Sequence, residues 1–217
     1  MYLFNFKNKY LKIKEIQTQF NQFFSTLAEP MKYNNNNDRE ELVTKFFINN
    51  LYYLLVKLSD FDAIKEEKDA DSFDKVLNNK REMYLNLLIN KYCENMNKVL
   101  KRCVSKNDKN ANNQNQNEIN FIDEEVNKLN KNDLKNIAQN FNSKYRDILN
   151  NVKKSIYSSI TDNENAKITY KAFLNELLNK YAAFIDLLRY SKNEDLLMNS
   201  VGVQKLMIEI NNIMKGI

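Results

Sequence analysis

Tyr170-Lys171-Ala172-Phe173-Leu174-Asn175-Glu176-Leu177-Leu178-Asn179-Lys180-Tyr181-Ala182-Ala183-Phe184-Ile185-Asp186-Leu187-Leu188 is the stretch that decides the fold. Its large apolar residues, Tyr170, Phe173, Leu174, Leu177, Leu178, Tyr181, Phe184, Ile185 and Leu188, recur at steps of three and four. That period places them on one face of a helix, and the stripe is wide enough to need neighbours on both flanks. Upstream, Leu134, Ile137, Phe141, Tyr145, Ile148, Val152, Ile156 and Ile160 repeat the same steps and predict a second long helix. Downstream, a short closing helix over about Val201 to Met214 is expected to turn Val203, Leu206, Met207, Ile210, Ile213 and Met214 inward.

The N-terminal half reads in the same way. Phe6, Tyr10, Ile13, Phe20, Phe23, Phe24 and Leu27 predict a helix over Phe4 to Leu27, ended by Pro30 and the Asn34 to Asn37 run. The next helix opens near Asp38, a capping acceptor, with Glu40 and Glu41 suited to its dipole. Its apolar side is read as Leu42, Phe46, Phe47, Leu51, Leu54, Leu55 and Leu58. A third runs from about Asp71 through Phe73, Val76, Leu77, Tyr84, Leu87, Leu88, Met96, Val99 and Leu100, about 45 Å at 1.5 Å per residue. Residues 105–117 hold one apolar side chain, Ala111, and are expected to be a disordered loop. They divide the chain into a first helical half, 1–104, and a second, 118–217, with a short amphipathic piece around Ile119 to Leu129. The alternative is that the two halves form one continuous rod.

Composition supports long helices. The chain has 217 residues with only 2 Gly and 1 Pro, so it lacks the residues that build tight corners and phosphate-cradling loops. Its residues are 43% apolar, including 13 Phe and 12 Tyr, yet the mean hydropathy is -0.65, which describes two-faced segments. The fold class is therefore all-α: an elongated antiparallel bundle or rod of about six helices.

Chemistry is sparse. With no His in the chain, the residue that most often carries general acid-base work near neutrality is missing. Cys93 and Cys103 fall within one helix, pointing in different directions, and form neither a zinc set nor a disulfide framework. There is no Walker-type loop and no GxGxxG; Gly202 precedes a helix and Gly216 is near-terminal. Glu66/Glu67 and Glu124/Glu125 are adjacent in sequence, so their carboxylates should diverge on a solvated face. No catalytic, cofactor-binding or metal-ligating residue is assigned, and the expectation is a non-enzyme. Met1 to Lys7 lacks a secretory apolar run, and no stretch approaches the ~18 apolar residues of a membrane span. The expected location is cytosolic, with peripheral membrane attachment left open.

The net charge is +5, and Lys80 to Lys109 is the most basic region, with Lys80, Arg81, Lys91, Lys98, Lys101, Arg102, Lys106 and Lys109 against Glu82, Glu94 and Asp108. The excess is too thin for a dedicated nucleic-acid domain, so no nucleic-acid partner is expected. A basic peripheral membrane or nucleic-acid binder remains an alternative, beside an unrelated helical scaffold.

Several segments carry a family resemblance. Lys45-Phe46-Phe47-Ile48-Asn49-Asn50-Leu51-Tyr52 resembles the "FLINNYD" element of the vacuolar protein sorting-associated protein 52 family, a subunit of the Golgi-associated retrograde protein tethering complex. Ser72 to Leu77 followed by Met83 to Leu88 is similar to that family's next element. Phe141 to Ile148 resembles "FN..W...I", with Tyr145 in place of Trp. Leu174 to Phe184 resembles "LT.LL..Y.RF", with Ala182 and Ala183 where bulkier or basic residues are usual. Gln204 to Ile210 looks like the closing "I..LM.E.K" helix, and the segment 105–117 looks like an insertion.

The resemblance implies a C-terminal portion of that subunit, with the helical-rod architecture of multisubunit vesicle tethers. It implies retrograde endosome-to-trans-Golgi transport, a peripheral place on those membranes, and partners among other tethering subunits, SNAREs and small GTPases. The positions it marks are Phe46, Phe47, Asn49, Asn50, Phe141, Tyr145, Leu177, Tyr181, Phe184, Met207 and Glu209, read as structural. It names no interface residue.

Overall fold

A computed structural model of the chain describes residues 36–59, 68–104 and 120–216. Among them lie six α-helices: α1 (Asn36–Ser59), α2 (Lys68–Cys103), α3 (Asp123–Asn127), α4 (Lys131–Ser159), α5 (Asn163–Tyr190) and α6 (Val203–Lys215). A 3-10 helix at Glu194–Asn199 joins the last two. The described residues contain no strand, only an isolated antiparallel bridge between Val104 and Phe121. The chain is an all-α helical bundle. The expected helix over Phe4 to Leu27, the pair Glu66/Glu67 and the segment 105–117 lie outside the described residues.

The chain divides into two compact units, Met1–Val43 and Thr44–Ile217. Of the first, the described part is the opening of α1, in which Leu42 is exposed.

The second unit is organised around α5, which packs against α2, α4, α6 and the 3-10 helix. The reason is its wide stripe: Tyr170, Phe173, Leu174, Leu177, Tyr181, Phe184, Ile185 and Leu188 are all buried, so no single neighbour could cover it. α4 contributes Leu134, Ile137, Phe141, Tyr145, Ile148, Val152 and Ile156 to the same core. It runs antiparallel to α5, since Leu149 meets Tyr170 while Phe141 meets Tyr181. α2 packs on α5, α4 and α3. Helices from both sides of 105–117 therefore share one core, and that segment does not separate two bundles.

Local signals set the helix ends. Asn130 caps α4 by accepting from the Asn132 N–H at 2.8 Å, and Asp162 caps α5 by accepting from the Asn165 N–H at 2.8 Å. α5 ends with the Asn193 N–H donating to the Leu188 carbonyl and the Lys192 N–H donating to the Arg189 carbonyl. That pair of bonds is a Schellman motif, which needs a left-handed residue, and Lys192 supplies it at φ 56. An exposed lysine held there loses about 1 kcal/mol to its Cβ. Lys192→Gly is expected to recover about that amount, read as a rise in the urea midpoint at unchanged m.

Two expectations about buried faces are corrected. Leu42 and Phe46, expected on the core side of α1, are 48% and 37% exposed; Leu51 from that side is buried, and the other inward positions are Thr44 and Ile48. Met207 was placed inward on α6 and is 46% exposed, while Leu206 and Ile210 are buried. The expected third helix is present as α2, interrupted at Cys93, whose φ of -131 and ψ of 34 lie outside the helical region.

Candidate functional site

The family-like positions fall into three places. Phe141, Tyr145, Tyr181 and Glu209, drawn from α4, α5 and α6, meet in one cluster. The Phe141 ring stacks on Tyr181 at 4.4 Å between centroids and neighbours Tyr145 at 6.1 Å. The Tyr181 hydroxyl donates to the Val201 carbonyl at 2.6 Å, holding the turn that leads into α6. Glu209 on α6 accepts from the Tyr145 hydroxyl at 2.8 Å and from Arg146 Nε at 3.0 Å. Tyr145 stands where the family pattern has Trp, and its hydroxyl makes this second tie. Burial and the Glu209 carboxylate both hold the Tyr145 phenol above its ordinary range. Leu177 and Phe184 are fully buried beside the cluster's ring stack in α5.

Asn49 lies elsewhere, where α4 turns into α5. Its Nδ2 donates to the Ser159 carbonyl at 2.9 Å, satisfying one of the free carbonyls at the end of α4, and its Oδ1 accepts from the Thr161 N–H at 3.0 Å. One turn into α5, Asn165 donates to the Ile48 carbonyl at 3.3 Å and accepts from Arg81 at 2.8 Å. Arg81 also donates to Asn78 Oδ1 at 3.2 Å and lies over the Tyr52 ring. Burial pulls its guanidinium below the usual value, opposed by Tyr52 and Asp74. Its side-chain partners are amides, with no carboxylate bonded to it. Asn50 bonds only its own helix, at the Phe46 carbonyl, and Phe47 lies under the Lys80 ammonium at 4.6 Å.

Arg81 and Asn165 are the residues that sequence reasoning missed. In the sequence Arg81 reads as one charge in the basic run 80–109, and Asn165 carries no mark of its own. The available signal was the Asp162-to-Asn165 capping spacing, which places Asn165 at the mouth of α5.

A groove of about 490 Å³ lies beside the break in α2. α2 lines it with Lys91 to Met96, and α4 lines it with Ile137, Asn140, Phe141, Lys144, Asp147, Ile148 and Asn151. Its lining mixes apolar side chains, among them Met96, Ile137, Phe141 and Ile148, with charges of both signs, Lys91, Glu94, Lys144 and Asp147. Cys93 is in its wall, but burial pushes that thiol up to about 12 from 9.0, so it stays protonated and is a poor nucleophile.

Burial also raises Tyr170 and Tyr181 to about 12 from 10.0. Below pH 10 both the folded and unfolded chains keep these protons, so the stabilisation is complete there. Between pH 10 and 12 the unfolded chain ionises first, and stability is lost at about 1.4 kcal/mol per tyrosine per pH unit. Alkaline unfolding is therefore expected in that window, with the phenolate absorbance of the two residues rising together with loss of helical circular dichroism. A phenolate signal from both that completes while the helices persist would contradict this burial.

Much of the basic stretch is engaged at home. Arg102 pairs with Glu125 at 3.0 Å, Lys98 with Glu94 at 2.6 Å, and Arg81 and Lys80 are held as described. Glu124 and Glu125 do not diverge as expected, because both reach Lys128, at 2.9 and 3.0 Å. No helix among the described residues is long and apolar enough to cross a membrane, and no group of three or more His, Cys, Asp or Glu there could hold a metal ion. The described residues form a helical bundle with a groove between α2 and α4. The chain matches no protein-family model, no curated protein and no solved structure.

Proposed function

We propose that the chain is a protein-binding helical leg of a vesicle-tethering complex in retrograde endosome-to-trans-Golgi transport. It would act at the cytoplasmic side of those membranes as a peripheral component. Its partners would be other tethering subunits, SNAREs or small GTPases.

The observation that carries this reading is the meeting of Phe141, Tyr145, Tyr181 and Glu209, which come from the "FN..W...I", "LT.LL..Y.RF" and "I..LM.E.K" resemblances. Three separate sequence patterns thereby make one packed unit, so their order and spacing serve a common fold. The groove between α2 and α4 supplies a surface of mixed character for a partner helix. Such a protein works by geometry, presenting surface and spanning distance, with affinity from a few buried anchors.

The test is affinity purification of the tagged chain at native expression level, followed by mass spectrometry. Recovery of sister tethering subunits, a SNARE or a Golgi GTPase supports the reading. Recovery of none, together with a diffuse cellular distribution, rejects it in favour of an unrelated helical scaffold. Binding to anionic liposomes or oligonucleotides that weakens with salt would instead favour the basic-surface alternative.

A further inference from the structure

α2 contains no Gly and no Pro, the residues that most often break a helix, yet it leaves the helical region at Cys93. Across that point the Asn97 Nδ2 donates to Asn90 Oδ1 at 2.5 Å. In a straight helix, residues seven apart lie about 10.5 Å from each other along the axis, and both side chains tilt toward the N-terminus. Two side chains as short as asparagine bridge that gap only if the helix bends toward them.

Asn97 is also out of place. It is 1% exposed on a face otherwise made of Leu88, Ile89, Cys93, Met96 and Leu100, and its Oδ1 has no hydrogen-bond partner. Asn90, in contrast, is exposed. The pair is a single polar tie between the apolar interior and the surface, placed across the one break in the helix. Without Asn90, the buried amide would have no partner at either end, so the tie favours the bent form over the straight one. The six residues that α2 gives to the groove, Lys91 to Met96, straddle the break.

We propose that α2 is a two-state element hinged at Cys93, in which the Asn90–Asn97 tie holds the bent state and so sets the width of the groove between α2 and α4. The device is a strap: releasing it straightens the helix and moves one wall of the groove against the other. This inference does not depend on which partner the groove takes.

The test is a distance measurement on the full chain. Spin labels at Lys75→Cys and Lys101→Cys, both exposed positions, report the separation of the two arms, with the buried Cys93 and Cys103 left in place. A straight helix would hold these positions about 39 Å apart. The native chain is expected to give a shorter mean distance, and both Asn97→Leu and Asn90→Ala are expected to lengthen it toward the straight value. Asn90 is exposed, so its alanine variant keeps the test decisive even if Asn97→Leu fails to fold. A native distance already at the straight value, or an Asn90→Ala distribution that superimposes on the native one, overturns the proposal.

Discussion

Tyr181→Ala is expected to destabilise the chain by about 3–5 kcal/mol, the range for removing a large, fully enclosed ring. Tyr181 is 0% exposed, and three things depend on it. Its ring stacks on Phe141, its bulk fills α5 where α4 and α6 converge, and its hydroxyl holds the Val201 carbonyl at the entrance to α6. Tyr181→Phe keeps the first two and is expected to cost about 1–2 kcal/mol, the loss of one hydrogen bond with a buried carbonyl left behind. Urea unfolding of both variants separates the contributions. If the two cost the same, the hydroxyl outweighs the ring and this account of the cluster is wrong. Hydrogen exchange adds a local readout, since in Tyr181→Phe the amides of α6 should lose protection before those of α4.

The second large effect is at Asn165. Asn165→Ala is expected to cost about 1–3 kcal/mol, because it leaves a half-buried guanidinium short of a partner, while the Ile48 carbonyl within α1 loses only a second bond. Arg81→Met also costs stability alone, by stranding the Asn165 amide oxygen. The double variant removes both needs together, so it should be less damaging than the sum of the singles by 0.5 kcal/mol or more, the range for groups in one network. A strictly additive cycle would mean that Arg81 finds other partners, and that the 2.8 Å contact contributes little.

How much of this was legible in the sequence depends on what kind of signal a residue leaves. The α5 stripe is plain because nine large side chains share one phase; the structure buries eight of them, leaves Leu178 half-buried, and adds Leu187. The apolar side expected for α1 is right at Leu51, which is buried, and wrong at Leu42 and Phe46. Leu42 and Phe46 are bulky and Thr44 is not, so hydrophobicity alone favoured the former, whereas the inward face is set by Thr44, Ile48 and Leu51. Met207 erred for a related reason: it flanks the buried pair Leu206 and Ile210 on a helix that one side of the bundle covers.

Apart from the Asp162-to-Asn165 cap, the polar contacts leave no signal in the sequence. A hydrogen bond between Arg81 and Asn165 spans 84 positions and has no period to betray it. The same holds for Asn49 reaching Ser159 and Thr161. In a chain this rich in asparagine, composition conceals which few amides are structural. The tie across Cys93 was hidden in the same way, since neither of its residues breaks a helical pattern when read singly.

The bridge between Val104 and Phe121, with the Ile122 N–H on the Cys103 carbonyl at 2.8 Å, brings both ends of the intervening segment to one point. Those two contacts form a closed doorway between the end of α2 and the approach to α3. Doubling the length of such an excursion costs only about 0.6 kcal/mol of closure entropy. A change in the length of chain joining these two points therefore has little effect on the stability of the core. The same doorway is the place to install a reporter domain without disturbing the helices on either side.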